Sequence, residues 1–209
     1  FTKMWAIAAC ALFAGTAAVN AEDYTWKFVT AGDATTYAIR SDGSLWSWGW
    51  NEKGQGGNGV SERTATPTLA DGNRVWKKAV GGKAYGFFLA EDGSLWAAGT
   101  HEGGVQGTND GIDHKVLTRI GTDNDWADMA CSRFWGYSGF AIKTNGTLWA
   151  WGKNSAGQLG IGNTQAQTAP VQVGADMDWK QVAAGCSSVL ALKTDGSLWG
   201  WGFNMYSEL

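Results

Sequence analysis

Histidine, proline, cysteine and clustered positive charge are what this chain of 209 residues has least of. Its 16 lysines and arginines stand against 19 acids, for a formal net charge of −3, and no stretch gathers the basic residues. The electrostatic footprint of a nucleic-acid binder is therefore missing. Three cysteines occur, Cys10, Cys131 and Cys186, without a Cys-x-x-Cys pair or a Cys/His cluster that could hold zinc. There is no phosphate-cradling Gly-x-x-x-x-Gly-Lys-Ser/Thr loop, no Gly-x-Ser-x-Gly elbow and no acid–base constellation. The expectation is a protein that is not an enzyme, with no catalytic residue, no cofactor and no metal. Asp110, Asp113, Asp123 and Asp125 could offer oxygens to calcium, but their spacing matches no known calcium loop. Proline numbers only 2, beside 31 glycines and 14 tryptophans. That mixture argues for tight turns between short strands that bury large rings, and against a helical bundle.

Residues 1–21 stand apart. Lys3 precedes an uncharged apolar run from Met4 to Gly15, and small residues lead to Val19-Asn20-Ala21, a cleavage site before Glu22. The run is shorter than the roughly 20 residues a membrane helix needs. A removable signal peptide is expected, which would place residues 22–209 in the periplasm, at the cell surface or in the medium; a buried N-terminal helix is the alternative. Ile7-Ala8-Ala9-Cys10 loosely resembles a lipoprotein processing box, although the apolar run continues past the cysteine. Export would permit a disulfide between Cys131 and Cys186, and two small buried thiols in neighbouring repeats are the plainer alternative.

Internal repetition decides the fold class. Leu45-Trp46-Ser47-Trp48-Gly49 returns as Leu95-Trp96-Ala97-Ala98-Gly99, Leu148-Trp149-Ala150-Trp151-Gly152 and Leu198-Trp199-Gly200-Trp201-Gly202. A turn pair precedes each one: Asp42-Gly43, Asp92-Gly93, Asn145-Gly146 and Asp195-Gly196. An earlier tryptophan recurs at Trp26, Trp76, Trp126 and Trp179. The pairs read as type I′ hairpin turns, because Asp-Gly and Asn-Gly accept positive φ. The arm before each turn alternates large with small or polar residues, as a strand does. Further short strands fit 27–29, 78–80 and 181–183 on one side, and 67–69, 116–118 and 170–173 on the other. Four strands of about 50 residues make one propeller blade, with repeats at about 24–73, 74–123, 124–176 and 177–209. Ser47, Ala97, Ala150 and Gly200 are small enough to receive bulky residues from an adjacent blade. Ala98 breaks the tryptophan pattern and predicts a looser or recompensated second blade. The third repeat carries three extra residues around Phe134-Trp135-Gly136-Tyr137.

The turn, the tryptophan pair and the loops Asn51-Glu52-Lys53-Gly54-Gln55 and Asn154-Ser155-Ala156-Gly157-Gln158 together resemble the repeat of the regulator of chromosome condensation family. The resemblance covers residues 24–209 and implies an all-β, typically seven-bladed propeller, of which about four blades are present. The chain opens on Phe1 and stops before the glycine that would finish its fourth loop, so it reads as a fragment truncated at both ends. Four blades in a geometry meant for seven would form an open arc with exposed strand edges. Family repeats often carry a histidine shortly before the hairpin; the matching places here hold Thr35, Tyr85 and Ser188, with the third obscured by the insertion.

A rigid scaffold that displays variable loops suits recognition, so the leading expectation is an exported module that binds a protein partner. Exported inhibitory proteins of this repeat architecture offer an analogy. Trp50 and Phe203, where other repeats have Thr100 and Lys153, and Trp135 and Tyr137 in the insertion, are the candidate ligand-binding rings. Burial between blades is the alternative for all four. A glycan-binding propeller is the second expectation. Nucleotide exchange on a small GTPase is the third, if the chain is not exported.

Overall fold

The computed structural model describes residues 25–207 and 209, so the expected signal peptide and Cys10 lie outside the described residues. Among the described residues, fifteen strands follow one another with one short 3-10 turn, Glu102–Gly104. The first sheet holds β1 (Trp26–Ala31), β2 (Thr35–Arg40), β3 (Leu45–Gly49) and β4 (Thr64–Asp71). The second holds β5 (Trp76–Gly81), β6 (Tyr85–Ala90), β7 (Leu95–Gly99) and β8 (His114–Arg119). The third holds β9 (Trp126–Cys131), β10 (Ser138–Lys143), β11 (Leu148–Gly152) and β12 (Gln167–Gln172), and the fourth β13 (Trp179–Ala184), β14 (Ser188–Lys193) and β15 (Leu198–Gly202). Every sheet is an antiparallel meander in sequence order. First strands of successive sheets touch one another, so they lie innermost and the fourth strands outermost. This is a β-propeller blade arrangement, and the predicted strand positions coincide with the observed ones.

The hairpin turns differ from the expected type I′. Gly43, Gly93, Gly146 and Gly196 have φ between 79° and 88°, yet Asp42, Asp92, Asn145 and Asp195 do not share the positive region. The Gly43 amide donates to the Arg40 carbonyl at 2.9 Å and the Arg40 amide to the Ser44 carbonyl at 3.0 Å. That pattern is a three-residue loop, in which a type I turn is followed by a left-handed glycine. Its physical reason is side-chain bonding. Asp42 Oδ1 accepts from the Ser44 amide at 2.9 Å and from its hydroxyl at 2.6 Å, and Trp46 Nε1 donates to Ser44 Oγ at 2.8 Å. The same relay recurs through Asp92, Asn145 and Asp195. An Asx turn of this kind holds the acid itself at negative φ.

The core sits at the seams between sheets. One cluster joins the first and second sheets (Tyr37, Ile39, Leu45 with Trp76, Phe88, Ala98), and another the second and third (Tyr85, Phe87, Leu95 with Trp126, Met129, Trp151). A last one joins the third and fourth (Phe140, Leu148, Leu159 with Trp179, Val182, Val189). Ala97 and Ala150 face these seams as expected, whereas Ser47 Oγ donates to the Gly56 carbonyl of its own loop and Gly200 is exposed. Of the four equivalent leucines, Leu45, Leu95 and Leu148 are buried and Leu198, on the fourth sheet, is exposed.

The seams also explain Ala98. Trp151 Nε1 donates to the Val105 carbonyl of the preceding sheet's loop at 2.8 Å, and Trp201 Nε1 to that of Gln158 at 2.9 Å. Both rings lie tight against a loop glycine, Gly107 and Gly160. Ala98 can supply neither ring nor donor. The equivalent carbonyl, Gln55, instead accepts from the Tyr37 hydroxyl at 3.0 Å, and Leu117 fills the space over Gly57. The second blade is recompensated and Ala98 is fully buried.

Candidate functional site

Hairpins after the first strands and long loops after the third strands share one face, and the Asp-Gly hairpins lie on the other. On the loop face, the β1–β2, β5–β6 and β13–β14 hairpins present Asp33, Lys83 and Cys186 at equivalent places. The β9–β10 connection presents Arg133, Phe134, Trp135 and Gly136 there. This connection is three residues longer than its counterparts and has left-handed backbone at Phe134 (φ 51°) and Tyr137 (φ 46°), a conformation costing about 1–3 kcal/mol per residue outside glycine.

Contacts from every other blade hold that strained segment. The Phe134 amide donates to Asp33 Oδ2 of the first blade at 3.0 Å. The Lys83 ammonium of the second lies over the Trp135 ring, 2.7 Å from its centroid. The Arg133 amide donates to the Gly185 carbonyl of the fourth at 3.1 Å, and Gly136 abuts the Cys186 carbonyl so closely that a β-carbon there would collide with that oxygen. Phe134 and Trp135 thereby stand 61% and 59% exposed near the inner strands. Beneath them Tyr137 is only 3% exposed, edge-on to Trp135 at 6.4 Å and 5.9 Å from Tyr85. Desolvation and a hydrogen bond to Glu102 push the Tyr137 phenol up to about 12, so it remains a neutral donor.

The four candidate rings share the loop face but do not form one cluster. Trp135 and Tyr137 meet, and Tyr137 is a buried support, which corrects its expected role as an exposed contact. Trp50 is half-buried at the start of the β3–β4 loop, with its indole bonded to Glu52 and its carbonyl accepting from Thr35 Oγ1 at 2.6 Å. Phe203 is half-buried and pairs with Tyr206 at 6.1 Å. Thr35 finds its counterpart in Ser138, whose hydroxyl donates to the Lys153 carbonyl at 2.7 Å; these hydroxyls tie loop to hairpin. Asp33, Lys83, Arg133 and Phe134 were not singled out by sequence, although the insertion itself marked their neighbourhood.

Both described cysteines are free; Cys131 is buried, which pushes its thiol up to about 12, and Cys186 is exposed rather than buried. The four acids do not converge. Asp110 and Asp113 pair with His114 at 2.9 Å and His101 at 2.7 Å on the loop face, whereas Asp123 and Asp125 clamp Lys143 at 2.6 and 3.1 Å near the other. No group of three or more metal-capable side chains exists among the described residues.

Comparison with known proteins follows the same repeats. The model described as "Regulator of chromosome condensation (RCC1) repeat" matches residues 42–89 and 145–192, and a second model of that repeat matches 26–55. The Ultraviolet-B receptor UVR8 of Arabidopsis thaliana is 30% identical over 163 residues, covering 77% of this chain and 37% of that protein. Protein RCC2 of Homo sapiens is 27% identical over 150 residues, 70% of this chain and 19% of that protein. The chain thus spans well under half the length of these relatives. Among solved structures, human WBSCR16 superposes with a TM-score of 0.75 at 20% identity, over 87% of this chain and 48% of that one. Yeast RCC1 (Prp20), solved bound to Kap60, gives 0.75 at 23% identity, over 87% and 44%.

Proposed function

The chain belongs to the regulator of chromosome condensation repeat family, and from that premise we propose that it is a non-catalytic module binding a protein partner on its loop face, anchored by Phe134 and Trp135. One observation carries this reading: two large rings stand more than half exposed on a strained segment that contacts from the three other blades hold in place. Pre-ordered aromatic side chains at the centre of a surface are the usual anchors of protein interfaces, since little entropy remains to be lost on binding. Yeast RCC1, which shares the fold, is itself a protein solved with another protein, Kap60, bound. A glycan would need the open face of Trp135, and the Lys83 ammonium already occupies one side.

Cross-linking of the full chain in extracts of its native cell, read by mass spectrometry, tests this. A protein captured by the wild type and by Lys77→Ala, on the opposite face, but lost with Trp135→Ala is the expected result. Capture indifferent to Trp135→Ala overturns it, and signal on a glycan array that Trp135→Ala abolishes favours the sugar instead. The proposed location is outside the cytosol, on the strength of the leader-like residues 1–21. N-terminal sequencing that finds Glu22 first supports it. A retained leader on a cytosolic chain returns exchange on a small GTPase to the front.

A further inference from the structure

Seven basic side chains here are matched by carboxylates. Lys27 pairs with Glu91, Lys53 with Asp113, Arg63 with Glu52, Arg74 with Asp71 and Lys78 with Asp128, while Lys143 and Lys193 each hold two aspartates. Among the described residues other cations have no carboxylate partner. Lys77 and Lys180 start innermost strands at the far face, and Lys115 and Arg119 lie on the outermost strand β8, Arg119 bonded to the Thr122 and Asp123 carbonyls. Lys83, Arg133 and Lys153 gather instead around the Phe134–Trp135 platform. Lys83 lies on the Trp135 ring, Arg133 immediately precedes Phe134, and the Lys153 amide donates to the Tyr137 carbonyl at 2.8 Å.

Two acids lie at the same place, and each holds a neutral donor of the platform. Asp33 Oδ2 accepts the Phe134 amide, and Glu102 bonds the Tyr137 phenol. Arg133 is exposed, and among the described residues its guanidinium has no hydrogen bond or ion pair. A chain of net charge −3 thus places three cations and two acids around these two exposed rings, with one exposed guanidinium directly beside Phe134.

We infer that the partner presents an acidic segment to this platform, with an apolar or aromatic side chain on Phe134 and Trp135 and a neighbouring carboxylate on Arg133. A guanidinium grips a carboxylate with two parallel hydrogen bonds, and charges at an interface rim act chiefly on association rate and salt dependence. The inference rests on the protein-binding reading above and narrows it to one partner chemistry.

The test uses the full chain and three arrays of dodecapeptides: Leu or Trp flanked by Asp and Glu, and the same peptides with the acids replaced by Ser or by Lys. Acidic peptides should bind at least about tenfold more tightly than either replacement, and more weakly as salt rises. Arg133→Glu should cost about tenfold or more and flatten the salt dependence, with Arg133→Lys retaining most of the affinity. Equal binding of the three arrays, binding of none, or acidic binding indifferent to Arg133→Glu overturns the inference. Trp135-dependent capture of a native protein would still stand in each case, so the two readings fail separately. Adsorption to phosphatidylserine vesicles without peptide binding likewise overturns the inference.

Discussion

Removing a single oxygen, in Tyr37→Phe, probes the seam between the first two sheets. The hydroxyl is the donor to the buried Gln55 carbonyl, and Ala98 leaves no indole to replace it. Burial holds the phenol far above its ordinary range, so it is protonated at every working pH. Phenylalanine keeps the ring and its edge-on contact with Phe88 at 5.2 Å, so no cavity opens beyond the missing oxygen. What remains is an unpaired buried carbonyl, worth about 1–3 kcal/mol. For a domain of this size each kilocalorie moves Tm by about 2–4 °C, so the expected loss is about 2–12 °C in a melt followed by tryptophan fluorescence. Adding Ala98→Trp with Leu117→Ala in the Tyr37→Phe background imports the donor that Trp151 and Trp201 provide elsewhere, and should recover part of the loss. An unchanged Tm for Tyr37→Phe, or a triple variant less stable than the single one, refutes the exchange of roles between Tyr37 and the absent tryptophan.

Three further outcomes are expected. Gly136→Ala drives a methyl into the Cys186 carbonyl and must displace the insertion; peptide or partner binding should fall while Tm drops by about 1–3 kcal/mol equivalent, and unchanged binding would contradict the packing. A thiol reagent should label Cys186 at once and Cys131 only on unfolding, because burial both shields that thiol and disfavours its thiolate; simultaneous labelling would show the seam to be open. The carboxyls of Asp42, Asp92 and Asp195 are held below the usual range by hydrogen bonds from Ser44, Ser94 and Ser197. A depressed folded pKa adds stability that is present above the unfolded value near 4 and lost as pH falls through the folded one. The triple Asp→Asn variant should therefore be less acid-sensitive, as Asn145 already makes the same turn without charge, and an unaltered acid profile would count against the relay.

The blades were legible because their determinants are local. Asp-Gly-Ser-x-Trp writes its own turn through bonds no more than two residues apart, and the period follows by repetition. The turn type was missed for a reason on the same scale: the Ser44 hydroxyl fixes Asp42, which leaves positive φ to glycine alone. The site was only half legible. Three surplus residues announced a special connection, but Trp135 and Tyr137 differ by two positions and have opposite fates. Their exposure depends on an aspartate 101 residues from Phe134, a lysine one blade away and a cysteine hairpin. No periodicity encodes such contacts.

Tyr37 and Ala98 also bear on how such a chain can change over generations. A tandem array invites unequal crossing-over, since any unit can be copied or lost wherever its two sides match every other unit. The third and fourth units obey that rule, each bringing an indole for the carbonyl upstream. The second cannot be duplicated or transplanted alone: it would arrive without a donor, and only a first unit bearing Tyr37 can receive it. The two are now inherited as a pair, and recombination inside this array is expected to leave that junction intact.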